Sequence, residues 1–148
     1  MSDFDPARER PAVLFANEAF YRAFADRDFK AMAGLWANDL AAVCIHPGWP
    51  ALTGRARILA SWERILGGQA PAVACHLPEV HFVGETALVV CYEAIRDDWL
   101  VATNGFAREG GRWRMVFHQA GPTPPMGAEI ASRAEEDDDA DGGPALPN

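Results

Sequence analysis

His46 is the residue best suited to move a proton. It ends an apolar segment over 41–46 and is followed by Pro47-Gly48-Trp49-Pro50, a loop too rich in proline and glycine for a helix or a strand. An imidazole titrates near neutral pH, so a histidine at a pocket mouth can act as a general acid or base. The alternative is a structural histidine that hydrogen-bonds a carbonyl and orders the loop. Trp49 would present a flat apolar face to a ring-bearing ligand there.

Further candidates lie on the predicted strands. Glu93 and Asn104 interrupt apolar segments. The sequence leaves three alternatives for each side chain: it faces solvent, the interior, or an interface between two copies. An inward carboxyl group has a raised pKa and suits acid–base work. In the last strand, strict alternation puts His118 on the convex face and Gln119 on the pocket face. Together with Tyr21 on the first helix, the predicted ligand-binding residues are Tyr21, Trp49, Asn104, Phe117 and Gln119.

We predict neither a metal site nor a cofactor. His76 and His81 are five residues apart and cannot share one face of a strand. A three-histidine site made of His46, His76 and His118 has no pair at the i, i+2 or i, i+4 spacing to support it. No nucleotide-binding, nucleophile-elbow or metalloprotease motif is present in the sequence.

The cysteines are three in number and form no CxxC pair, which argues against a disulfide framework or a zinc ribbon. Their apolar surroundings would raise a thiol pKa, so nucleophilic chemistry is not expected of them. We interpret all three as small buried side chains of a reduced compartment, namely Cys44, Cys75 and Cys91.

Charge is concentrated at the carboxyl end of the 148-residue chain. Residues 129–148 hold seven acids against one arginine, a net charge of −6 out of −8 for the whole chain. No basic patch appears, so no nucleic-acid partner is expected. No long apolar segment and no signal-peptide pattern appear either, which predicts no membrane partner and a cytoplasmic location.

The hydrophobic spacing predicts helices first and strands last, which is typical of an α+β domain. We expect a flexible N-terminus over 1–10, one domain over 11–122 and a disordered acidic tail over 123–148. A chain ending at Thr123 should therefore melt within a few degrees of the full-length protein. The expected order is two helices over 11–26 and 28–37, a strand over 41–46, a helix over 54–66, and strands over 73–83, 87–95, 99–108 and 112–120.

These elements carry a resemblance to a known family. Five segments, in this order and spacing, resemble the SnoaL-like branch of the nuclear transport factor 2-like superfamily: residues 19–28, 35–39 and 45–48, then Gly54-Arg55, then 110–119. The resemblance implies three helices packed on a strongly curved antiparallel sheet, a cone with a central pocket, often dimeric through the outer face of the sheet. Superfamily members include isomerases, cyclases and dehydratases, so the fold alone does not define a reaction.

Two positions differ from ketosteroid isomerase, a member of that superfamily. The resemblance puts His46 where that enzyme has its catalytic aspartate before a proline, and Phe20 where it has its oxyanion tyrosine. We therefore do not predict steroid-type isomerisation.

Three functions remain compatible with the sequence. The first is a pocket that binds a small ring-bearing or polyketide-like molecule without converting it. The second is an isomerase, cyclase or dehydratase that uses His46 as general acid or base. The third is a dimerisation module whose pocket is packed shut, and a cavity above ~300 Å³ would argue against it. In each case we expect a homodimer through the convex face, using Leu88, Val90, Tyr92 and Val116.

Overall fold

The computed structural model describes residues 3–141, with side chains as far as residue 138. This part of the chain forms four helices and six strands. In chain order they are α1 (Pro6–Ala25), α2 (Phe29–Leu35), β1 (Val43–Ile45), β2 (Leu52–Thr53), α3 (Arg55–Gly67), β3 (Ala74–Val83), β4 (Thr86–Ile95), β5 (Asp98–Glu109), β6 (Arg112–Pro122) and α4 (Gly127–Asp141).

The six strands form one open sheet in the order β2-β1-β6-β5-β4-β3. The four long strands make the predicted antiparallel meander, whereas β1 pairs in parallel with β6, with Val43 opposite Phe117. Helices α1, α2 and α3 enclose a core whose largest fully buried side chains include Trp36, Trp62 and Phe20. The predicted α+β cone is thus confirmed, with a mixed sheet in place of a purely antiparallel one. Within residues 3–141, no helix is both long and apolar enough to cross a membrane.

Helix α1 begins earlier than the sequence spacing indicates. Asp5 caps it by accepting a hydrogen bond from the amide of Ala7, at 3.1 Å, and Pro6 occupies the first turn. Glu9 then accepts a hydrogen bond from the indole N–H of Trp113, at 2.8 Å, and Arg10 donates to the Val80 carbonyl, at 2.9 Å. The prediction of a flexible N-terminus over 1–10 is therefore wrong from Pro6 onward, because these contacts hold the first two turns on the sheet.

Part of the predicted disordered tail is helical. Helix α4 covers Gly127–Asp141, contains four alanines, four aspartates and three glutamates, and has an ion pair between Glu129 and Arg133 one turn apart, at 2.8 Å. Its side chains are mostly exposed, which agrees with the low apolar content on which the prediction of disorder rested. Residues 142–148, the rest of the predicted tail, lie outside the described residues.

Gly54 and Arg55, at the start of α3, hold that helix against the end of α2. Gly54 has a φ of +89°, a backbone conformation that suits glycine, and it precedes the first turn of α3. The Arg55 guanidinium donates hydrogen bonds to the carbonyls of Ala33, Trp36 and Ala37 at 2.7 to 3.2 Å. These carbonyls at the end of α2 lack helical partners, so Arg55 fixes the position of α3 relative to α2.

Strand β6 contains a bulge that changes which side chains face the pocket. Gly105 of β5 pairs with Phe117, but the next residue, Phe106, pairs with Met115, which leaves Val116 as an extra residue. Trp113 and Met115 face the core as predicted. Beyond the bulge the alternation is reversed, so His118 is buried and Gln119 is exposed. The prediction that Phe117 and Gln119 face the pocket is wrong for this reason.

Strands β5 and β6 approach each other closely at Gly105, next to the bulge. A Cβ atom added to Gly105 would lie 2.8 Å from the Cβ of Phe117, which is closer than two carbon atoms can approach. We expect Gly105→Ala to lower the free energy of unfolding by about 1–3 kcal/mol, the usual cost of overpacking. Gly121→Ala, at a β6 position with nothing within 4 Å of the added atom, is the matched control and should be nearly neutral. Equal denaturant midpoints for the two variants would contradict this account.

Candidate active site

A cavity of about 360 Å³ opens between the concave face of the sheet, the end of α1 and helix α3. Its walls are mainly apolar and aromatic, and three titratable side chains project into it: His46, Glu93 and His118. Such a combination is typical of small-molecule sites, which lie in this size range. The remaining lining residues are Phe24, Pro47, Trp49, Trp62, Ile65, Ala70, Pro71, Val73, Ile95 and Leu100.

His46 follows β1 and is held from α3. Its Nε2 lies 2.9 Å from Ser61 Oγ, and the Ser61 hydroxyl donates to the Ile58 carbonyl at 2.6 Å. The hydroxyl hydrogen is thus used by Ile58, so the serine oxygen accepts and His46 Nε2 carries the hydrogen. That tautomer leaves Nδ1 of His46 as a lone-pair acceptor. Trp49 and Trp62 pack edge-on against the ring, with centroids 4.9 and 4.8 Å away.

His118 reaches the same cavity from β6, diagonally across from His46. Its Nδ1 lies 2.6 Å from Asn104 Oδ1, which can only accept, so Nδ1 carries the hydrogen and Nε2 holds the lone pair. The two imidazole rings are 6.3 Å apart between centroids. Two histidines with opposite tautomers therefore meet at one end of the pocket, each with one ring nitrogen not used in these bonds.

Burial favours the neutral form of both rings. Removal from water lowers the pKa of His46 to about 4. Burial, with repulsion from His46 as a second cause, lowers the pKa of His118 to about 3. At neutral pH both side chains are thus uncharged, and each keeps one ring nitrogen that can accept a hydrogen bond.

Glu93 lies on β4 and is only 5% exposed. Burial raises the pKa of its carboxyl group, and the hydrogen bond from Tyr21, whose hydroxyl donates to Oε2 at 2.6 Å, partly opposes that rise. No arginine or lysine is among the described residues that line the cavity with it. A carboxyl group in this environment is suited to hold a proton and release it to a ligand.

Asn104 connects His118 to Tyr21, and through Tyr21 to Glu93, by buried hydrogen bonds behind the wall of the cavity. Its amide nitrogen donates to Asn17 Oδ1 at 2.8 Å and to the Tyr21 oxygen at 3.1 Å, while its own oxygen accepts from His118. Tyr21 in turn donates to Glu93. A continuous set of buried hydrogen bonds therefore fixes the orientation of both His118 and Glu93.

The structure brings together some of the predicted site residues and not others. His46 and Trp49 line the cavity. Tyr21 and Asn104 are buried beside it, where they hold other residues. Phe117 and Gln119 lie on the convex face, as the bulge in β6 requires.

Sequence reasoning missed two contributors, His118 and Ser61. The prediction that His118 faces the convex side is wrong because it assumes strict alternation through β6. The signal available for Ser61 was its position: it is a lone serine within the apolar face of α3, next to Trp62 and three residues after Ile58.

The fold and the pocket define an α+β cone with a cavity on the concave side of its sheet. A family model described as the SnoaL-like domain matches residues 13–124, and the chain belongs to that family. Among curated proteins none matches the chain.

Solved structures agree with this assignment. One from Streptomyces avermitilis, described as a "putative dehydratase" of the NTF2-like family, is 31% identical and superposes with a TM-score of 0.71 over 82% of this chain and 100% of that chain. A "putative calcium/calmodulin-dependent protein kinase type II association domain" from Thiobacillus denitrificans is 28% identical, with a TM-score of 0.65 over 74% of this chain and 93% of that chain. An NTF2-like protein of unknown function from Pseudomonas putida, 22% identical, has a TM-score of 0.66 over 84% of this chain and 92% of that chain and supports the fold.

Proposed function

We propose that this protein binds an uncharged, ring-bearing small molecule in the cone pocket and transfers a proton on it, with dehydration as the favoured reaction. The observation that carries the proposal is the meeting of His46, His118 and Glu93 in one open, apolar cavity of about 360 Å³. Titratable groups with perturbed pKa values that converge in a cleft are the usual mark of acid–base chemistry. A cavity of this size also disfavours a module whose pocket is packed shut.

The electrostatics of the pocket support an uncharged ligand. Neutral imidazoles accept hydrogen bonds, and a carboxyl group with a raised pKa donates one, so a hydroxyl or ketone group finds partners here. The described lining residues include no arginine or lysine, so a carboxylate or phosphate would be buried without a counter-charge. The aromatic walls, Phe24, Trp49 and Trp62, match a flat hydrophobic ring system.

In the proposed dehydration, His46 is the general base and Glu93 the general acid. Nδ1 of His46 removes a proton from the carbon next to the one that carries the hydroxyl group. The electron pair of that C–H bond forms the new C=C bond as the C–O bond breaks. Glu93 gives its proton to the leaving oxygen, and water departs. The proton on His46 returns to Glu93 through water after product release, while His118 holds the substrate hydroxyl by accepting its hydrogen bond.

The relative from Streptomyces avermitilis supports this choice of reaction, since its description names a dehydratase. One observation favours a second function, which is binding without conversion. The pKa values of His46 and His118, about 4 and about 3, make both rings weak bases. A pocket that only stores or carries its ligand needs no stronger base.

A test can use uncharged hydroxylated bicyclic aromatic ketones as probes. Binding is measured by heteronuclear NMR shifts of residues around the cavity, and conversion by mass spectrometry as the loss of water. His46→Gln should bind the probes within a few-fold of wild type and convert them about 10²–10⁴-fold more slowly. His81→Gln, at an exposed histidine on β3, is the control.

The outcomes separate the two functions. Probe shifts without loss of water from any probe would favour the binding function. No probe shifts at all, or conversion by His46→Gln at the wild-type rate, would contradict the proposed mechanism.

The homodimer stays a prediction, and we add Phe117 to the surface predicted for it. Leu88, Val90 and Tyr92 of β4 and Phe117 of β6 are on the convex face, each partly exposed. Val116, the fourth residue of the predicted surface, is the unpaired residue of the bulge. A second copy would cover this apolar face. We expect sedimentation at micromolar concentration to give the mass of a dimer, and Val90→Lys to give a monomer that keeps its fold. A wild-type monomer at that concentration would contradict this surface.

A further inference from the structure

A second concavity lies on the other side of Tyr21, apart from the cone pocket. It is an open groove of about 560 Å³ between α1 and β3, lined on the helix side by Leu14, Asn17 and Arg22, and on the strand side by Pro78 and Cys75. Cys75 is only partly buried, so small polar molecules in the groove can reach its sulfur atom.

Cys75 has a second thiol beside it on the neighbouring strand. Cys75 pairs with Glu93 across β3 and β4, and Cys91 is two residues from Glu93, so both cysteines face the concave side from adjacent strands. The two side chains are thus diagonal neighbours on the same face of the sheet. The Asn17 amide lies 3.8 Å from the sulfur of Cys75, and the Tyr21 hydroxyl lies 3.2 Å from that of Cys91.

The two thiols differ in reactivity. Contact with Cys91 lowers the pKa of Cys75, and the Asn17 amide adds to this against the opposing effect of burial. Contact with Cys75 and burial raise the pKa of Cys91, which is fully buried. Burial also raises the pKa of Cys44, the third cysteine, to about 12. The accessible sulfur is therefore the one that most readily becomes a thiolate, and a thiolate is the form that reacts with peroxides.

We propose that Cys75 is a site of oxidation by hydrogen peroxide or organic hydroperoxides and that Cys91 resolves it into a Cys75–Cys91 disulfide. In the first step Cys75 loses its proton to water in the groove, and its sulfur attacks one peroxide oxygen. The O–O bond breaks, Cys75 becomes a sulfenic acid, and the leaving oxygen departs as water or an alcohol after it takes up a proton. In the second step the Cys91 sulfur attacks the Cys75 sulfur, the S–O bond breaks, and the hydroxyl leaves as water with the proton of Cys91.

The disulfide would also act on the cone pocket. Cys91 is in contact with the hydroxyl of Tyr21, the same group that donates to Glu93. Formation of the S–S bond removes the Cys91 thiol hydrogen and draws its sulfur toward Cys75, which disturbs the support of Glu93. This coupling rests on the proposed function of the pocket, whereas the thiol chemistry does not.

The experiment is a peroxide titration of the full chain under non-reducing conditions, followed by alkylation and peptide mapping. We expect a peptide pair joined through Cys75 and Cys91, lighter than the two reduced peptides by two hydrogen atoms and separated again by dithiothreitol. Cys75 should also be alkylated at least roughly tenfold faster than Cys44 in the untreated protein. Loss of pocket activity on oxidation, if dehydration is first established, is a separate readout.

Variants make the result decisive. Cys91→Ala should stop at the sulfenic acid of Cys75, trapped by dimedone, and Cys44→Ala should form the disulfide as wild type does. If Cys91→Ala fails to fold, the peptide map of the wild-type protein still tests whether the Cys75–Cys91 disulfide forms. Cys75 that resists peroxide, reacts no faster than Cys44, or forms only disulfides between chains would overturn the proposal.

Discussion

Acid should unfold this domain well before its carboxylates are fully protonated. As the pH falls below 6.5, the ordinary pKa of histidine, the unfolded chain takes up protons at the positions of His46 and His118, while the folded chain does not until about pH 4 and about pH 3. Each buried histidine then lowers the free energy of unfolding by about 1.4 kcal/mol per pH unit. Near pH 5 the two together remove about 4 kcal/mol, a large share of the stability of a small domain.

Two carboxyl groups also change how the free energy of unfolding depends on pH. One of them, Glu93, acts in the opposite direction to the histidines. Because burial raises the pKa of Glu93, its contribution to stability grows as the pH falls toward 4.5 and so offsets part of the histidine effect. Three backbone amides, those of Asn38, Asp39 and Leu40, hold the pKa of Glu109 at about 2, and its contribution is lost only as the pH falls below 4.5. The slope between pH 6.5 and 4.5 therefore reports on the two histidines together with the opposing contribution of Glu93.

Denaturant unfolding at several pH values in that interval measures the slope. His46→Gln should make it shallower by up to about 1.4 kcal/mol per pH unit, the contribution of one buried imidazole. His81→Gln should leave the slope unchanged, because that side chain is exposed in the folded chain. A wild-type stability that is flat between pH 6.5 and 4.5 would show that the two rings are not held neutral in the folded state.

Glu93→Gln should make the protein more stable at neutral pH and, at the same time, inactive. A glutamine keeps an oxygen that accepts the hydrogen bond of Tyr21 but has no proton to lose, so at neutral pH it folds without the burial of a charge or the uptake of a proton that Glu93 requires. The gain should be full above the raised pKa of Glu93 and should vanish below about pH 4.5, where the glutamate is protonated in both states. The loss of a general acid should slow the proposed dehydration by about 10²–10⁴-fold.

Thermal melts of wild type and Glu93→Gln at neutral pH and near pH 4 test the stability half of this prediction. Glu79→Gln, at an exposed glutamate on β3, is the matched control and should change neither the melting temperature nor conversion. A variant that melts lower than wild type at neutral pH would mean that the carboxylate is favourable where it lies. If the variant converts the probes at the wild-type rate, a group other than Glu93 is the general acid.

The fold was largely predictable because its signals are local and repeated. Hydrophobic spacing identified α3 and the four long strands to within a residue or two, and Asp28 caps α2 as its position before an apolar stretch predicted. The short strand β2 was missed, since two residues carry no periodicity. An apolar pattern does not predict the first turns of α1, because they depend on the contacts of Glu9 and Arg10 with the sheet. It does not predict α4 either, because that helix consists mainly of exposed helix-forming residues.

The site was less predictable than the fold because it is made by contacts between distant residues. His46 could be singled out from the loop that follows it. Nothing in the sequence near Tyr21, Asn104 or Glu93 indicates that their polar atoms meet, since 83 and 72 positions along the chain separate Tyr21 from the other two. The opposite tautomers of the two histidines depend on Ser61 and Asn104, which only the folded chain brings into contact with them.

The bulge at Val116 decides which face of the sheet each later side chain of β6 occupies. One unpaired residue exchanges inside and outside for every residue that follows it in β6, relative to a regular strand. If Val116 were paired in a regular ladder, His118 would face the outer surface and Gln119 the cavity, although neither residue had changed. A chain without Val116 would need no bulge there and would keep His118 inside. The chemistry of the pocket therefore depends on which residue of the strand is left unpaired, as well as on which residues the strand contains.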